Sequence, residues 1–374
     1  MTNIPRAAHF LLIPELLYSP PNDAIINSYL DNGYVVDVYA PGQLPVTTQY
    51  GEGVKTFYVA YTWAWLLRNL IRLSWVKYAV VSGTSEDPFV IVGIVSYVYR
   101  KKSICLVDEI KSDSYRGDRT ELWKSICRWA IRKSSLQIVN DESRIRLLCE
   151  YTGIHSEGNI LVYPGCFQDR PKRNKTLRDE VRRSWGVPDD SFVIGSSGGF
   201  NLTAGADWLL RAIEEEKRIF AVIQPLGVSQ LSIFLMKSLP CSERIFIQED
   251  RLGWREAWQT AQGLDAGICI YTNQAGQFQN MGISSNRLCM FLAMGVPVIT
   301  SRQESFAFIE QYECGIMVGN YEEFLEGISQ IRKRNEKMKT NCERCLEEYI
   351  RPKQRFNQLK ERINKLKRRR RKEF

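Results

Sequence analysis

Short apolar runs alternate with amphipathic stretches along most of this chain. Residues 8–14 form the first apolar run, and a helical stretch at Ala24–Asn32 ends before Gly33. A second apolar run, Tyr34–Tyr39, is closed by a Pro-Gly pair. This order predicts a strand, a helix and a strand of a parallel α/β sheet, in which ligands bind beyond the carboxyl ends of the strands.

The same alternation continues in two series that meet at Tyr163-Pro164-Gly165, where we predict a hinge. The first series predicts the helices Thr62–Lys77, Phe89–Tyr99, Glu121–Lys133 and Glu142–Tyr151 and the strands Tyr78–Val81, Ser103–Val107, Leu136–Val139 and Ile160–Val162. The second predicts the helices Lys172–Trp185, Gly253–Gln262 and Phe306–Tyr312 and the strands Ser191–Gly195, Phe220–Ile223, Ile245–Ile247, Gly267–Ile270 and Ile316–Val318. A chain of 374 residues also exceeds what one core usually supports, so we expect two domains.

A glycine-rich segment follows the first strand of the second series. Gly198, Gly199 and Phe200 lie between that strand and a helix predicted to run through Glu216. Such a turn lets backbone N–H groups approach phosphate oxygens, because glycine has no Cβ to clash. By itself the turn is a weak signal.

The segment from Gly282 to Thr300 reads as loop, helix, turn and strand. Ser284, Ser285 and Asn286 stand where an N-cap belongs, and Gly295 stands where a left-handed residue ends a helix. The helix is apolar nearly all round, which predicts that it is buried. A buried helix start with small hydroxyl residues suits an anion.

Within that segment, residues 285–288 and 293–299 resemble the donor-site helix of GT-B glycosyltransferases of the large family 4-like group. The resemblance extends more weakly from about residue 8 to about residue 330. It implies an α/β fold with two Rossmann-like parallel-sheet domains facing each other across a cleft and a C-terminal helix that crosses back. The domains are predicted as an acceptor-side domain (1–163), a nucleotide-sugar-binding domain (164–345) and a crossing helix with a basic tail (346–374).

In such enzymes the helix start faces the diphosphate of a nucleotide-sugar. The resemblance therefore implies donor binding by Gly198, Gly199, Phe200, Ser284, Ser285, Asn286 and Arg287. Many members carry an Arg and a Lys at positions that align with Gly199 and Ala204, and a pair of glutamates near Gly282 and Met290. All four are absent here. We expect Arg287 to supply the missing positive charge. The alternative is that Arg287 packs on the helix surface or pairs with a carboxylate.

Asp108 and Glu109 follow the strand Ser103–Val107, at the edge of the sheet where ligands bind. The stretch that contains them resembles a family segment near the acceptor site. If the reaction inverts configuration, one of the two carboxylates is the best candidate for the base. If it retains configuration, the donor phosphate can take the proton. A helix-capping or domain-packing role is equally open, and the two histidines, His9 and His155, are expected to be structural.

Charge is concentrated at the C-terminus. The net charge is +9, and residues 351–374 hold twelve Lys or Arg against two Glu. A nucleic-acid binder usually spreads its charge over a domain face, so specific nucleic-acid binding is not expected. We expect a cytoplasmic protein whose basic tail, Lys365–Lys372, can contact an anionic membrane surface. The tryptophan-rich helix Thr62–Lys77 is interpreted as core-packed, with contact to a lipid surface as the alternative.

The ten cysteines are scattered. The spacing of Cys342 and Cys345 is interpreted as two thiols on a helix surface rather than a metal or redox site.

The resemblance implies a hexosyltransferase-type glycosyltransferase that takes a UDP- or GDP-sugar as donor, with no cofactor and no metal. Its acceptor would be a glycan or a lipid-linked glycan in surface polysaccharide or glycoconjugate assembly. The second hypothesis is a catalytically inactive GT-B module that acts as a binding or partner subunit.

Overall fold

A computed structural model describes residues 4–42, 48–110, 120–155, 157–188, 190–225, 230–250, 252–273 and 276–368. The chain divides into two compact units, Met1–Gln168 with Pro352–Phe374, and Asp169–Arg351. The domain limits predicted from the sequence, after residues 163 and 345, stand a few residues before these divisions.

The first unit contains a seven-stranded parallel sheet in the order β3-β2-β1-β4-β5-β6-β7. Its strands are β1 (Arg6–Leu11), β2 (Val35–Ala40), β3 (Val54–Tyr58), β4 (Tyr78–Thr84), β5 (Lys102–Val107), β6 (Leu136–Val139) and β7 (Ile160–Val162). Its helices are α1 (Pro20–Asp31), α2 (Trp63–Ile71), α3 (Glu86–Val98), α4 (Glu121–Lys133) and α5 (Ser143–Thr152), together with α14 (Pro352–Arg368) from the C-terminus.

The second unit contains a six-stranded parallel sheet in the order β10-β9-β8-β11-β12-β13. Its strands are β8 (Phe192–Gly198), β9 (Ile219–Pro225), β10 (Ile245–Ile247), β11 (Ala266–Cys269), β12 (Val298–Ser301) and β13 (Gly315–Val318). Its helices are α6 (Lys175–Ser184), α7 (Ala206–Glu215), α8 (Gln230–Lys237), α9 (Trp254–Ala261), α10 (Gly276–Gln279), α11 (Asn286–Ala293), α12 (Ala307–Gln311) and α13 (Tyr321–Cys345).

The predicted fold class is confirmed, since both units are parallel-sheet α/β layers. Strand order reverses between β1 and β4 in the first sheet and between β8 and β11 in the second. At such a switch point the two connections leave on opposite faces of the sheet, which opens a crevice at the carboxyl ends of the strands.

The last helix, α14, belongs to the first unit, as predicted. Phe356, Leu359 and Ile363 are buried in the core cluster of that unit. Lys360 pairs with Asp31 at the end of α1 across 2.8 Å. Helix α14 is amphipathic. Burying its apolar face in the core stabilises the helix, and its polar face remains in contact with water.

Two interpretations of the sequence are wrong. Helix α2 ends at Ile71, and Leu73 follows with a φ of 53°, so Thr62–Lys77 is not one helix. Cys342 and Cys345 are fully buried rather than exposed. Cys342 lies on α13 beside Cys314, with its Sγ 3.7 Å from the Cys314 carbonyl oxygen.

Among the described residues, no helix combines the length and the apolar character needed to span a bilayer.

Candidate functional site

The glycine-rich turn lies at the switch point of the second sheet. Strand β8 ends at Gly198, which has a φ of 85°, a conformation that favours glycine. Gly199 is exposed, and among the described residues an added Cβ there would have only the Asn201 side chain nearby, at 3.7 Å. Phe200 is half-buried and packs against the core of the unit. Backbone atoms of the turn are therefore open to a ligand.

Helix α11 begins beside this turn. Ser285 is its N-cap and accepts a hydrogen bond from the Leu288 N–H at 3.2 Å. Ser284 instead donates its hydroxyl hydrogen back to the Met281 carbonyl oxygen. Asn286 is exposed in the first turn. Because the first N–H groups of a helix have no acceptor within it, the main chain rather than the serine hydroxyls is suited to hold an anion here.

The helix ends as predicted. Gly295 follows it with a φ of 66°, and the Val296 N–H donates to the Phe291 carbonyl oxygen at 2.8 Å. From Leu288 to Ala293 every residue is buried. This packing fixes the direction of α11 relative to β11 and β12, and so the position of its N-terminus.

Arg287 connects the two strands of the switch point. Its Nη2 donates to the Ile270 carbonyl oxygen at 2.9 Å, and its Nη1 makes a longer 3.5 Å contact to the Ser197 carbonyl oxygen. Its Nε donates to the Tyr271 hydroxyl at 2.8 Å, and the guanidinium carbon lies 4.3 Å from the centroid of the Tyr271 ring. A guanidinium has five N–H donors, so two are left over from these three contacts.

No ion pair of Arg287 is present among the described residues. In the described part of the chain, Arg287 therefore does not pair with a carboxylate. Its guanidinium packs on the Tyr271 ring instead.

Tyr271 links Arg287 to the helix start. Its hydroxyl lies 2.6 Å from the Ser285 Oγ, and burial raises the pKa of this phenol. Behind it, the Gln303 side-chain amide donates to the Tyr271 carbonyl at 3.2 Å and to the Phe278 carbonyl at 2.8 Å. Through these bonds, Gln303, which follows the carboxyl end of β12, fixes the loop that leads from β11 to α11.

The first unit carries acidic and hydroxyl side chains at the corresponding edge. Asp108 follows β5 directly, and Ser85 follows the neighbouring β4. The Ser85 hydroxyl donates to Asp108 Oδ1 at 3.1 Å, and Arg144 of α5 donates to the Asp108 carbonyl oxygen. Glu109 is exposed next to them.

The environment of Asp108 changes its acidity. Burial, with a further contribution from the charge of Glu109, raises the pKa of Asp108 from 3.8 to about 6, although the Ser85 hydrogen bond and Arg144 oppose the shift. A carboxylate with such a pKa is ionised at neutral pH and is more basic than an ordinary aspartate, as a general base requires.

Ser85 has an unusual backbone. Its φ is 73° and its ψ is 175°, a region that residues other than glycine rarely adopt and that costs on the order of 1–3 kcal/mol. This strain is located at the start of α3, where Ser85 also contacts Asp108. Strained residues of this kind cluster at functional sites.

His9 lies in β1 at the switch point of the first sheet, and it is fully buried. Its Nε2 is 2.8 Å from the Asn22 Oδ1, and its Nδ1 is 2.8 Å from the Ser82 Oγ. Burial lowers the pKa of His9 to about 4, so the ring is neutral at pH 7. The expectation of a structural histidine agrees with this packing.

Within each unit, the structure thus brings together part of what the sequence indicated. Arg287, the helix start and the end of β8 are contiguous in the second unit, and Asp108 and Glu109 follow the carboxyl end of β5 in the first. Sequence reasoning missed Ser85, Arg144, Tyr271 and Gln303. The only signal for them was their place just after a strand or at a helix start, since none belongs to a recognisable motif.

Nothing among the described residues forms a group of three or more His, Cys, Asp or Glu side chains that could hold a metal ion.

Comparison with known proteins identifies the fold. No protein-family model matches the sequence, and no curated protein matches it significantly. Solved structures do. Anabaena HepE in complex with UDP-glucose aligns with a TM-score of 0.73 at 14% identity, over 96% of this chain and 99% of its own.

A glycosyltransferase from Rickettsia africae aligns with a TM-score of 0.70 at 13% identity, over 96% and 99% of the two chains. WaaG, a glycosyltransferase involved in lipopolysaccharide biosynthesis, aligns with a TM-score of 0.67 at 12% identity, over 96% and 98%. The chain has the GT-B glycosyltransferase fold. At these identities the likeness concerns the fold, and a fold by itself does not establish an activity.

Proposed function

We propose that this chain is a glycosyltransferase that moves a sugar from a nucleotide-sugar to a glycan or lipid-linked acceptor, in the assembly of a surface polysaccharide or glycoconjugate. The observation that carries the proposal is the position of Arg287 at the switch point of the second sheet. There it adjoins the Gly198-Gly199 turn and the start of α11, which together supply a cation and open N–H groups. UDP and UDP-glucose are bound by HepE, whose fold is the same.

In this proposal the diphosphate of a UDP- or GDP-sugar binds between that turn and the residues Ser284, Ser285 and Asn286. The single positive charge of Arg287 offsets part of the diphosphate charge, and the two Arg287 donors that the protein contacts do not use are available to the phosphate oxygens. The binding requires backbone N–H groups and one guanidinium, so it does not call for a metal.

Asp108 is proposed as the general base toward the acceptor hydroxyl if the reaction inverts configuration. Its raised pKa and its hydrogen bond to Ser85 favour it over the exposed Glu109. Glu109 would then act indirectly, because its negative charge helps to keep the pKa of Asp108 high.

We also propose that the protein contacts an anionic membrane surface, where a lipid-linked acceptor would be found. Helix α2 and the turn after it expose Leu67, Ile71, Leu73 and Val76 to between 51% and 81%, and Arg68 and Arg72 lie among them in the sequence. Apolar side chains next to cations are the pattern of an interfacial contact. The basic segment Lys365–Lys372 adds seven cations, of which residues 369–372 lie outside the described part of the chain.

A direct test of the membrane contact is a chain that ends at Asn364. We expect its binding to vesicles containing phosphatidylglycerol to be weaker by at least about tenfold, since each Lys or Arg near an anionic surface contributes about 1 kcal/mol before screening. The measurement is sedimentation with these vesicles and with neutral ones. Ile71→Gln should weaken binding further, whereas Leu202→Gln, a change at a similarly exposed residue of the second unit, should not. Undiminished sedimentation of the shortened chain would contradict the role of the tail.

The proposed activity is tested by thermal shift with a panel of nucleotides and nucleotide-sugars, followed by donor hydrolysis with those that bind. A ligand that binds the native state raises the melting temperature as its concentration exceeds its Kd. We expect one uridine or guanosine diphosphate-sugar to stabilise the protein and to be hydrolysed slowly. A panel without any stabilising nucleotide would overturn the proposal.

The second candidate is an inactive GT-B module that serves as a binding subunit. The specific observation in its favour is the absence of the Arg and Lys expected at Gly199 and Ala204, because Ala204 is only 6% exposed and offers no side chain to a ligand. Nucleotide binding without hydrolysis or transfer would select this candidate.

A further inference from the structure

Tyr271 touches two of the groups that are proposed to bind the donor diphosphate. It follows β11 by two residues, and its hydroxyl contacts both the Arg287 guanidinium and the Ser285 side chain that caps α11. Its ring also stacks against the guanidinium, whose carbon atom is 4.3 Å from the ring centroid. One side chain therefore contacts the cation and the helix start at once.

The directions of these hydrogen bonds follow from what each atom can do. The Arg287 Nε–H can only donate, so the Tyr271 oxygen accepts from it at 2.8 Å. Burial raises the pKa of the Tyr271 phenol, so the hydroxyl keeps its hydrogen at neutral pH. Donation to the Ser285 Oγ, 2.6 Å away, satisfies that hydrogen, whereas the reverse direction would leave it without an acceptor among the described contacts. The hydrogen bonds thus run from Arg287 through Tyr271 to the N-cap.

Tyr271 is itself held by the residues at the end of β12 and after it. Its N–H donates to the Ser301 Oγ at 3.2 Å, and its carbonyl oxygen accepts from the Gln303 side-chain amide at 3.2 Å. Its ring stacks on the fully buried Phe306, with 6.1 Å between the ring centroids and 28° between the planes. A ring that is fixed through its backbone and one of its faces is a rigid support for a flexible arginine.

Arg287 needs such a support because its position is unfavourable for a cation. It lies in the first turn of α11, where the helix dipole presents partial positive charge. Its acceptors in the described part of the chain are neutral, namely two backbone carbonyl oxygens and the Tyr271 hydroxyl. A long side chain without fixed contacts would instead extend into water. An anion at the helix start reverses this balance, since both the dipole and the guanidinium attract it.

The bond to Tyr271 also decides which donors of Arg287 stay free. It uses the Nε–H, and the contacts with the Ser197 and Ile270 carbonyl oxygens use one N–H on each terminal nitrogen. One N–H on each terminal nitrogen is therefore left. Two such donors can bind one phosphate group through two hydrogen bonds, the mode in which arginine recognises phosphate most specifically.

We propose that Tyr271 is a positioning residue of the donor site. Its ring and hydroxyl hold Arg287 in the orientation that directs the two free donors at the diphosphate, and the same hydroxyl holds the Ser285 cap at the start of α11. The cation and the helix N–H groups are thereby aligned on one ligand. This role rests on the proposed function, in which the diphosphate lies at the start of α11.

A double-mutant cycle on UDP binding tests this role. Tyr271→Phe removes the hydroxyl and keeps the ring, so it should weaken UDP binding to the parent chain by about threefold to tenfold, as the loss of a hydrogen bond does. In the Arg287→Ala chain the same change should cost less than about twofold, because the group that Tyr271 positions is gone. A tyrosine that only supported the loop would weaken binding equally in both backgrounds. Calorimetry on the full chain, well below its melting temperature, measures the four affinities.

Two controls isolate the contribution of the phosphates. Uridine has no phosphate, so Tyr271→Phe should leave its affinity unchanged. Tyr321→Phe is the matched substitution, since the Tyr321 ring also stacks on an arginine, Arg211, at 4.0 Å, and its hydroxyl donates to Glu215 at 2.8 Å, outside the proposed donor site. It should leave UDP affinity unchanged. GDP and guanosine replace UDP and uridine if the parent chain binds GDP instead.

The results separate the role of Tyr271 from the donor site itself. If Arg287→Ala weakens UDP binding and Tyr271→Phe does not, Tyr271 is not a positioning residue, although the donor site stands. The same conclusion follows if Tyr271→Phe weakens binding equally in both backgrounds, or if it weakens uridine binding as much as UDP binding. If the parent chain binds neither UDP nor GDP, the donor site is refuted, and the role of Tyr271 is refuted with it.

Discussion

The two sheets have the same kind of switch point but opposite chemistry around it. At the edge of the first sheet, Asp108, Ser85 and the neutral His9 supply a carboxylate, a hydroxyl and a buried polar network. At the edge of the second, Arg287 and the start of α11 supply a cation and N–H donors. The comparison teaches that the topology of a parallel sheet determines where a site can form. The few residues that follow each strand determine what that site can bind.

The difference extends to how each edge is held. Burial and the charge of Glu109 destabilise the ionised form of Asp108 and raise its pKa, and the hydrogen bond from Ser85 offsets only part of this shift. Arg287 donates hydrogen bonds to two backbone carbonyl oxygens and stacks on a tyrosine ring. These contacts with the protein stabilise its positive charge. The first edge is therefore suited to exchange a proton and the second to hold a fixed charge.

The largest expected effect concerns the proton at the first edge. If the reaction inverts configuration, Asp108→Asn should lower turnover by about 10²–10⁴-fold, the usual contribution of a general base. In the parent chain, turnover should rise with pH up to about 6 and then level, because the carboxylate is the active form. Measuring kcat from pH 5 to pH 8 checks both statements.

The stability of the same variant gives an independent control. The raised pKa means that the ionised Asp108 destabilises the fold above about pH 6, and that this cost disappears as pH falls toward 3.8. Asp108→Asn should therefore melt at a higher temperature than the parent chain at pH 8 and at a similar temperature near pH 4. Full turnover in Asp108→Asn would show that Asp108 does not exchange a proton in the reaction, and the proposed difference between the two edges would then be wrong.

His9 gives the next largest effect, on stability. Its pKa falls from 6.5 in the unfolded chain to about 4 in the fold, so the unfolded chain binds the proton first and stability is lost as pH falls between these values. The expected loss is about 3 kcal/mol.

Urea unfolding of the parent chain and of His9→Leu from pH 7 to pH 4 measures it. The difference between the two curves isolates His9 from the opposite contribution of Asp108. Parallel curves would show that His9 does not titrate as a buried group.

At the second edge, Arg287→Ala should weaken UDP binding by roughly 1.5–3 kcal/mol, the range for a hydrogen bond to a charged group. Because the side chain also binds the Ile270 and Ser197 carbonyls, the melting temperature should fall as well.

Arg211→Ala is the matched control, since Arg211 also stacks on a tyrosine, Tyr321, at 4.0 Å but is exposed on α7. Both affinities are measured by calorimetry well below the melting temperature. Equal UDP affinity in Arg287→Ala and in the parent would place the phosphates elsewhere.

The smallest effects come from the left-handed residue at each edge. Gly198→Ala should destabilise the protein by about 1–2 kcal/mol, because an L-residue is strained at a φ of 85°. Ser85→Gly should relieve the strain at a φ of 73° and so stabilise the protein by about 1 kcal/mol near pH 4, where Asp108 is protonated.

The loss of the Ser85 hydrogen bond should at the same time raise the pKa of Asp108 further, which shifts the pH profile of turnover upward. Urea unfolding and the pH profile separate the two results. An unchanged profile would mean that Ser85 only shapes the loop.

The sequence alone determined most of the strands and helices and their succession along the chain. The helix Glu121–Lys133 and the strands Leu136–Val139, Ile160–Val162 and Ile245–Ile247 were predicted with the bounds that the structure has. Their apolar period and their end signals are local, so they can be read without the fold. Strand β3 was missed because it lies at the sheet edge with four of its five residues exposed, which leaves little hydrophobic pattern.

Tertiary structure alone decided the contacts that give these positions their chemistry. Nothing near Asp108 in the sequence indicates Ser85, and nothing near Arg287 indicates the Ser197 carbonyl, which is 90 residues away in the chain. Nor does a Cys-x-x-Cys spacing tell whether its thiols face solvent or, as here, the core. Burial, pKa and hydrogen-bond partners depend on which strands lie side by side, and strand order is set by packing over the whole unit rather than by the residues of one segment.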